Sequence, residues 1–203
     1  MKILILGAGA IGGYVGGRLH QHGADVTFLV RPARQQAMQR DGLVIKSTKG
    51  DVVQKVKTVL KAGEGGPYDI VLLTPKAYDL DSAIEAIAPA VSANTTVVPL
   101  LNGMRHLDVL DARFGKDKVV GGLARVGVAM SAEGHILHTS PFAAISFIRS
   151  SLMLRGVAQT PCTPECETTI GLVATCRTSR TTCSDECATS MIMPCASIAF
   201  TAW

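Results

Sequence analysis

Met1-Lys-Ile-Leu-Ile-Leu-Gly-Ala-Gly-Ala-Ile-Gly-Gly13 is the stretch that decides the fold. Lys2 to Leu6 is a nearly continuous apolar run, as expected of a strand buried on both faces of a parallel sheet. It runs straight into a G-x-G-x-x-G turn. Gly7 permits the tight turn, Gly9 lets a pyrophosphate approach the backbone, and Gly12 lets a helix pack on the strand. Ala8, Ala10 and Ile11 are the small and apolar residues between them. The unpaired N–H groups and positive dipole end of the following helix favour an anion. A bound dinucleotide is the expectation.

The flanking sequence strengthens it. Residues 11–22 predict a helix and Gly23 its stop. Asp25-Val-Thr-Phe-Leu-Val30 then supplies a second β-rich run, completing strand, turn, helix and strand in roughly 30 residues, one Rossmann-type unit. An acidic residue that accepts the ribose hydroxyls of NAD belongs about 20 residues beyond the glycines. Arg31 stands at that place. A guanidinium clamps a 2′-phosphate that a carboxylate would repel, so Arg31, helped by Arg34, points to NADP(H).

Composition narrows the function classes. The 203 residues are 47% hydrophobic, with a mean hydropathy of +0.29, the profile of a globular chain. Nothing in the sequence resembles a membrane span, a secretory signal or a transit peptide, so the expected location is the cytoplasm. The net charge of +4 is spread along the chain and aromatics make up only 4%. That is unlike a nucleic-acid surface and suits small anionic ligands such as NADPH and a carboxylate substrate.

Further along, residues 32–40 predict a proline-opened helix. Residues 43–47 and 52–59 predict two strands around Lys49-Gly50-Asp51, a hairpin decorating the core fold. Strands follow at 68–74 and 95–100, helices at about 80–91 and up to about 114, and a further strand begins at 118–122. This alternation specifies an α/β fold, a doubly wound parallel sheet. Ligands of such sheets sit outside the carboxyl ends of the strands. Three strand exits carry residues suited to a site: the glycine turn, Lys76 and Asn102.

Taken together, Gly-Ala-Gly-Ala-Ile-Gly at 7–12, Arg31, Lys76-Ala-Tyr78 and Leu101-Asn-Gly-Met104 resemble the ketopantoate reductases (2-dehydropantoate 2-reductases) over residues 1–147. The resemblance implies NADPH-dependent reduction of a 2-keto acid on the route to pantothenate and coenzyme A. It implies that residues 7–12 hold the pyrophosphate, that Arg31 holds the 2′-phosphate, that Lys76 lies near the cofactor and that Asn102 bridges nicotinamide and substrate. It also implies a lysine acid on a second, helical domain.

The chain departs from that pattern from about residue 148. No lysine follows Lys118, so no catalytic residue is identifiable, and all six cysteines (Cys162, Cys166, Cys176, Cys183, Cys187 and Cys195) lie among Ser and Thr in this irregular tail. Three readings compete. Cys162-x-x-x-Cys166 and Cys183-x-x-x-Cys187 suggest a metal or disulfide module, although the spacing is not the usual C-x-x-C. The tail is alternatively an unusual cap, one that forms a homodimer. A frame-shifted continuation, broken between about residues 139 and 148, explains the simultaneous loss of lysine and helical periodicity. His20, His22, His106, His135 and His138 form no metal or triad pattern and read as surface or loop residues, with His106 held open because it follows the Asn102 loop. Two functions stand at this point: a ketopantoate-type reductase, and a non-catalytic NADP-binding remnant.

Overall fold

A computed structural model of the chain describes residues 1–149 and 197–199. In order, the elements are β1 (Lys2–Leu6), α1 (Ala10–Gln21), β2 (Asp25–Leu29), α2 (Pro32–Asp41), β3 (Leu43–Ser47), β4 (Val52–Gln54), β5 (Lys57–Val59), β6 (Ile70–Leu73), α3 (Leu80–Ile87), β7 (Thr96–Pro99), α4 (Arg105–Phe114), β8 (Val120–Met130), β9 (Ile136–Arg149) and β10 (Ser197–Ala199). The six cysteines, and with them the metal, cap and frame-shift readings of the tail, lie outside the described residues.

Five parallel strands form the first sheet in the order β5-β2-β1-β6-β7. This is the strand order of a Rossmann sheet, and a Val97–Val119 bridge begins a sixth position beside β7. The apolar runs are legible because both faces are covered. Ile3 and Ile5 of β1 join one core with Val15, Phe28 and Ile45, while Leu4 joins the other with Ile84, Leu107 and Leu110 of α3 and α4. The period-2 alternation of a strand divides its side chains between the two cores.

The second face differs from the sequence-based expectation. There α1 is covered by a second sheet, in which β9 pairs antiparallel with β8 and parallel with β3, and β3 pairs antiparallel with β4. The predicted decorating hairpin is therefore part of this sheet. The single strand predicted at 52–59 is two: β4 belongs to the second sheet, whereas β5 crosses to pair in parallel with β2. The strand predicted to begin at 118–122 touches the first sheet at Val119 and then departs as β8. In the far segment, β10 pairs antiparallel with β9.

Helix α1 is thus held between two sheets, and its glycines make room. A Cβ at Gly16 would meet Ile5 and Phe28 of the first sheet, and one at Gly13 would meet Ile136 of the second. At Gly17 it would meet Leu43 and Ile45, again of the second sheet. The helix ends as the sequence predicts: Gly23, at φ +86°, donates to the His20 carbonyl at 3.0 Å while Ala24 donates to Leu19 at 3.0 Å. This paired arrangement satisfies carbonyls that the last turn leaves open.

Candidate functional site

The site begins where β1 stops. Gly7 takes φ +91°, a left-handed conformation that a side chain would strain, and its N–H donates to the Leu29 carbonyl at 2.9 Å. The Thr74 hydroxyl donates to the Leu6 carbonyl at 2.8 Å, tying the ends of β1 and β6 together behind the turn. A Cβ at Gly12 would run into this same Thr74 hydroxyl and the Gly7 carbonyl. Helix α1 then starts with Gly9 as its N-cap, with no side-chain cap and no acidic residue in its first turn. Its leading N–H groups are thereby left for an external acceptor.

An open groove of about 800 Å³ runs over these strand exits. It brings together most of the residues singled out from the sequence: Gly7, Ala8, Gly9, Ala10, Ile11, Arg31 and Lys76 all line it. Gly12 sits behind the lining, where its part is close packing. Asn102 is not brought in. It occupies an exposed turn between β7 and α4, one strand beyond the β6 exit that carries Lys76, and it lies outside the groove lining.

The groove is cationic. Arg31, Arg34 and Lys76 line it against a single carboxylate, Asp79. Arg31 is the exposed N-cap of α2, and its guanidinium has no hydrogen bond or ion pair among the described residues. Beside it at the β2 exit stand Leu29, Val30 and Leu60, with no carboxylate. The residues present therefore fit a dinucleotide carrying a 2′-phosphate. At the β6 exit, on the other side of β1 from the β2 exit, Lys76 Nζ lies 5.8 Å from the Tyr78 ring centroid, a cation–π contact.

Arg34 differs from the role read in the sequence. Its Nε donates to the Ala8 carbonyl at 3.1 Å and its Nη1 to the Gly134 carbonyl at 2.9 Å, so two of its donor groups serve the backbone. Burial draws its pKa below the ordinary guanidinium value. Thr74 and Met130 also line the groove and were not anticipated. Thr74 had a legible signal, since it ends the predicted strand at 68–74. Met130 had none, because its position depends on the second sheet.

None of the five histidines lines the groove. Two are also more buried than the sequence suggests. His106 is packed within α4, and burial lowers its pKa. His138 is 3% exposed within β9. No cluster of three or more metal-ligating side chains occurs among the described residues. No helix among them is long and apolar enough to cross a membrane.

Comparison with known proteins agrees with this architecture. The family model "Ketopantoate reductase PanE/ApbA" matches residues 3–147. The chain is 45% identical over 140 residues to the uncharacterized oxidoreductase YkpB of Bacillus subtilis (strain 168), covering 69% of this chain and 46% of that protein. The crystal structure of 2-dehydropantoate 2-reductase from Geobacter metallireducens GS-15 superposes with a TM-score of 0.69 at 32% identity, covering 73% of this chain and 49% of that one. The ternary structure of D-mandelate dehydrogenase with NADH and anilino(oxo)acetate superposes with a TM-score of 0.64 at 27% identity, covering 72% and 47%. The chain spans about half the length of the curated relatives it matches. On the family match, with the glycine turn and parallel sheet that accompany it, the chain belongs to the ketopantoate reductase PanE/ApbA family of oxidoreductases.

Proposed function

We propose that residues 1–147 form the NADPH-binding half of a reductase that converts 2-dehydropantoate to pantoate in the cytoplasm, on the route to pantothenate and coenzyme A. The observation that carries the cofactor choice is the Arg31 guanidinium at the β2 exit, which has no hydrogen bond or ion pair among the described residues, in a groove lined by one carboxylate, Asp79. The pyrophosphate lies in the turn formed by residues 7–12, against the open N–H groups at the start of α1 while the Gly7 N–H is held by the Leu29 carbonyl, and Arg31 holds the 2′-phosphate. Lys76 supplies positive charge near the nicotinamide end. When bound, the cofactor supplies the hydride, and the developing alkoxide needs a proton donor as well as a cation for the substrate carboxylate. Asn102, reached from the neighbouring strand exit, donates a hydrogen bond to substrate or nicotinamide but cannot act as the acid.

A second reading is favoured by one observation: no lysine follows Lys118 to match the acid that the family resemblance implies. On that reading the chain binds NADP(H) without turnover. Both are tested by following NADPH absorbance with ketopantoate, alongside a thermal-shift titration with NADPH. Saturable turnover supports the reductase and excludes the inactive remnant. A thermal shift without turnover supports the remnant, and the absence of any shift removes both.

A further inference from the structure

Arg34 spans two carbonyls 126 positions apart in the sequence, Ala8 in the glycine turn and Gly134 in the β8–β9 turn, at 3.1 and 2.9 Å. The first acceptor matters most. The Ala8 carbonyl and the Gly9 N–H belong to one planar trans peptide, so they point in opposite directions, and holding the oxygen on one side turns the N–H to the other. A charged donor on the oxygen also polarises the peptide, making its N–H a stronger donor. The second bond fastens the same guanidinium to the turn closed by Gly134 N–H to the Ser131 carbonyl, just beyond Met130, which lines the groove beside Gly9.

We infer that Arg34 is a positioning residue for the dinucleotide pyrophosphate: it sets the Ala8–Gly9 peptide with its N–H toward the groove and anchors that loop to the second sheet. The inference rests on the dinucleotide reading proposed above. It separates the two arginines of the groove, Arg31 acting on the 2′-phosphate and Arg34 on the part of the ligand that NADH and NADPH share. No other donor to the Ala8 carbonyl occurs among the hydrogen bonds of the described residues.

The test uses the full chain with Arg34→Met and Arg34→Gln, titrated with NADPH, NADH and adenosine 2′-monophosphate. Arg34→Met should loosen NADPH and NADH by the same factor, on the order of tenfold, as expected for loss of a charge-assisted contact. Adenosine 2′-monophosphate has no pyrophosphate, and its affinity should not change. Arg34→Gln, which keeps a short N–H donor, should recover part of the loss. In the ligand-free protein the Gly9 amide resonance should move in Arg34→Met and return partway in Arg34→Gln. Unchanged dinucleotide affinity in Arg34→Met, or a loss confined to NADPH and adenosine 2′-monophosphate, overturns the inference while leaving the dinucleotide reading intact. Failure of the wild-type chain to bind either dinucleotide overturns both.

Discussion

The rings of Tyr14 and His138 lie 4.5 Å apart, tilted by 39°, and join α1 to β9. Ser47 Oγ lies 2.8 Å from His138 Nδ1, and Ser140 Oγ lies 3.2 Å from Nε2. The Ser140 hydroxyl donates to the Phe142 carbonyl at 2.6 Å and accepts from the Gly127 N–H at 2.9 Å, which leaves the second lone pair of its oxygen to accept from Nε2–H. The network therefore suits a neutral ring protonated on Nε2. Arg18, 5.5 Å from the Tyr14 ring centroid, adds positive charge on the same side.

Stability should fall with acidification earlier than carboxylate chemistry requires. Burial pushes the pKa of His138 below the ordinary imidazole value, with Arg18 and Lys49 pushing the same way against the opposing hydrogen bond to the Phe142 carbonyl; burial also lowers that of His106. The unfolded chain then takes up protons near pH 6.5 while the native chain resists until lower pH, so stability is full above about 6.5 and declines below it. Urea midpoints measured from neutral pH downward should show this slope, and His106→Asn with His138→Asn should flatten it. A flat wild-type profile would contradict the assignment.

The close fit of α1 against the second sheet makes Gly13→Ala costly. Its new Cβ meets the Ile136 Cδ1 methyl, and a net loss of about 1–2 kcal/mol is expected after helix propensity returns part of the overpacking cost. Ile136→Val removes that methyl at about 1 kcal/mol by itself. The double variant should therefore be more stable than the sum of the two losses, a coupling measurable by urea denaturation. Simple additivity would mean that the helix yields instead.

Cofactor preference should follow Arg31. Arg31→Ala is expected to loosen NADPH on the order of tenfold to a hundredfold, the loss of hydrogen bonds to a charged group, while NADH changes little. Calorimetric titration of both dinucleotides checks this. Equal losses would remove the 2′-phosphate role.

The abrupt change in composition near residue 148 makes a prediction at the level of the gene. One of the other two reading frames of the coding DNA, followed past that codon, should encode a lysine-bearing segment with helical periodicity. Resequencing and translation decide it. A lysine-free, aperiodic translation in both frames would return the tail to the cap or metal-module readings.

The legible half of the molecule was the parallel sheet. Runs such as Ile70–Leu73 are buried on both faces and bounded by turns, a pattern that identifies itself. The second sheet left a fainter trace. Strand β8 mixes glycine, alanine and arginine with half-buried positions, and no Gly or Pro marks the crossing at Lys55 and Val56 between β4 and β5. One clue was available in the glycine pairs 12–13 and 16–17 of α1, which leave room for neighbours on two sides rather than one. In the candidate site, the glycine turn and Arg31 were readable because their spacing follows chain order. The two backbone contacts of Arg34 were not readable, because carbonyl acceptors have no signature in the sequence.

The confinement of α1 also bears on how the groove meets a ligand. A helix gripped by Ile5 and Phe28 on one side and Ile136 and Ile45 on the other cannot slide along its axis or roll without displacing a side chain of one sheet. Its amino end is aimed before any anion arrives. The donor array is preorganised by packing far from the phosphate, so association orders little protein at that end, and the selectivity of the groove is left to its cationic rim.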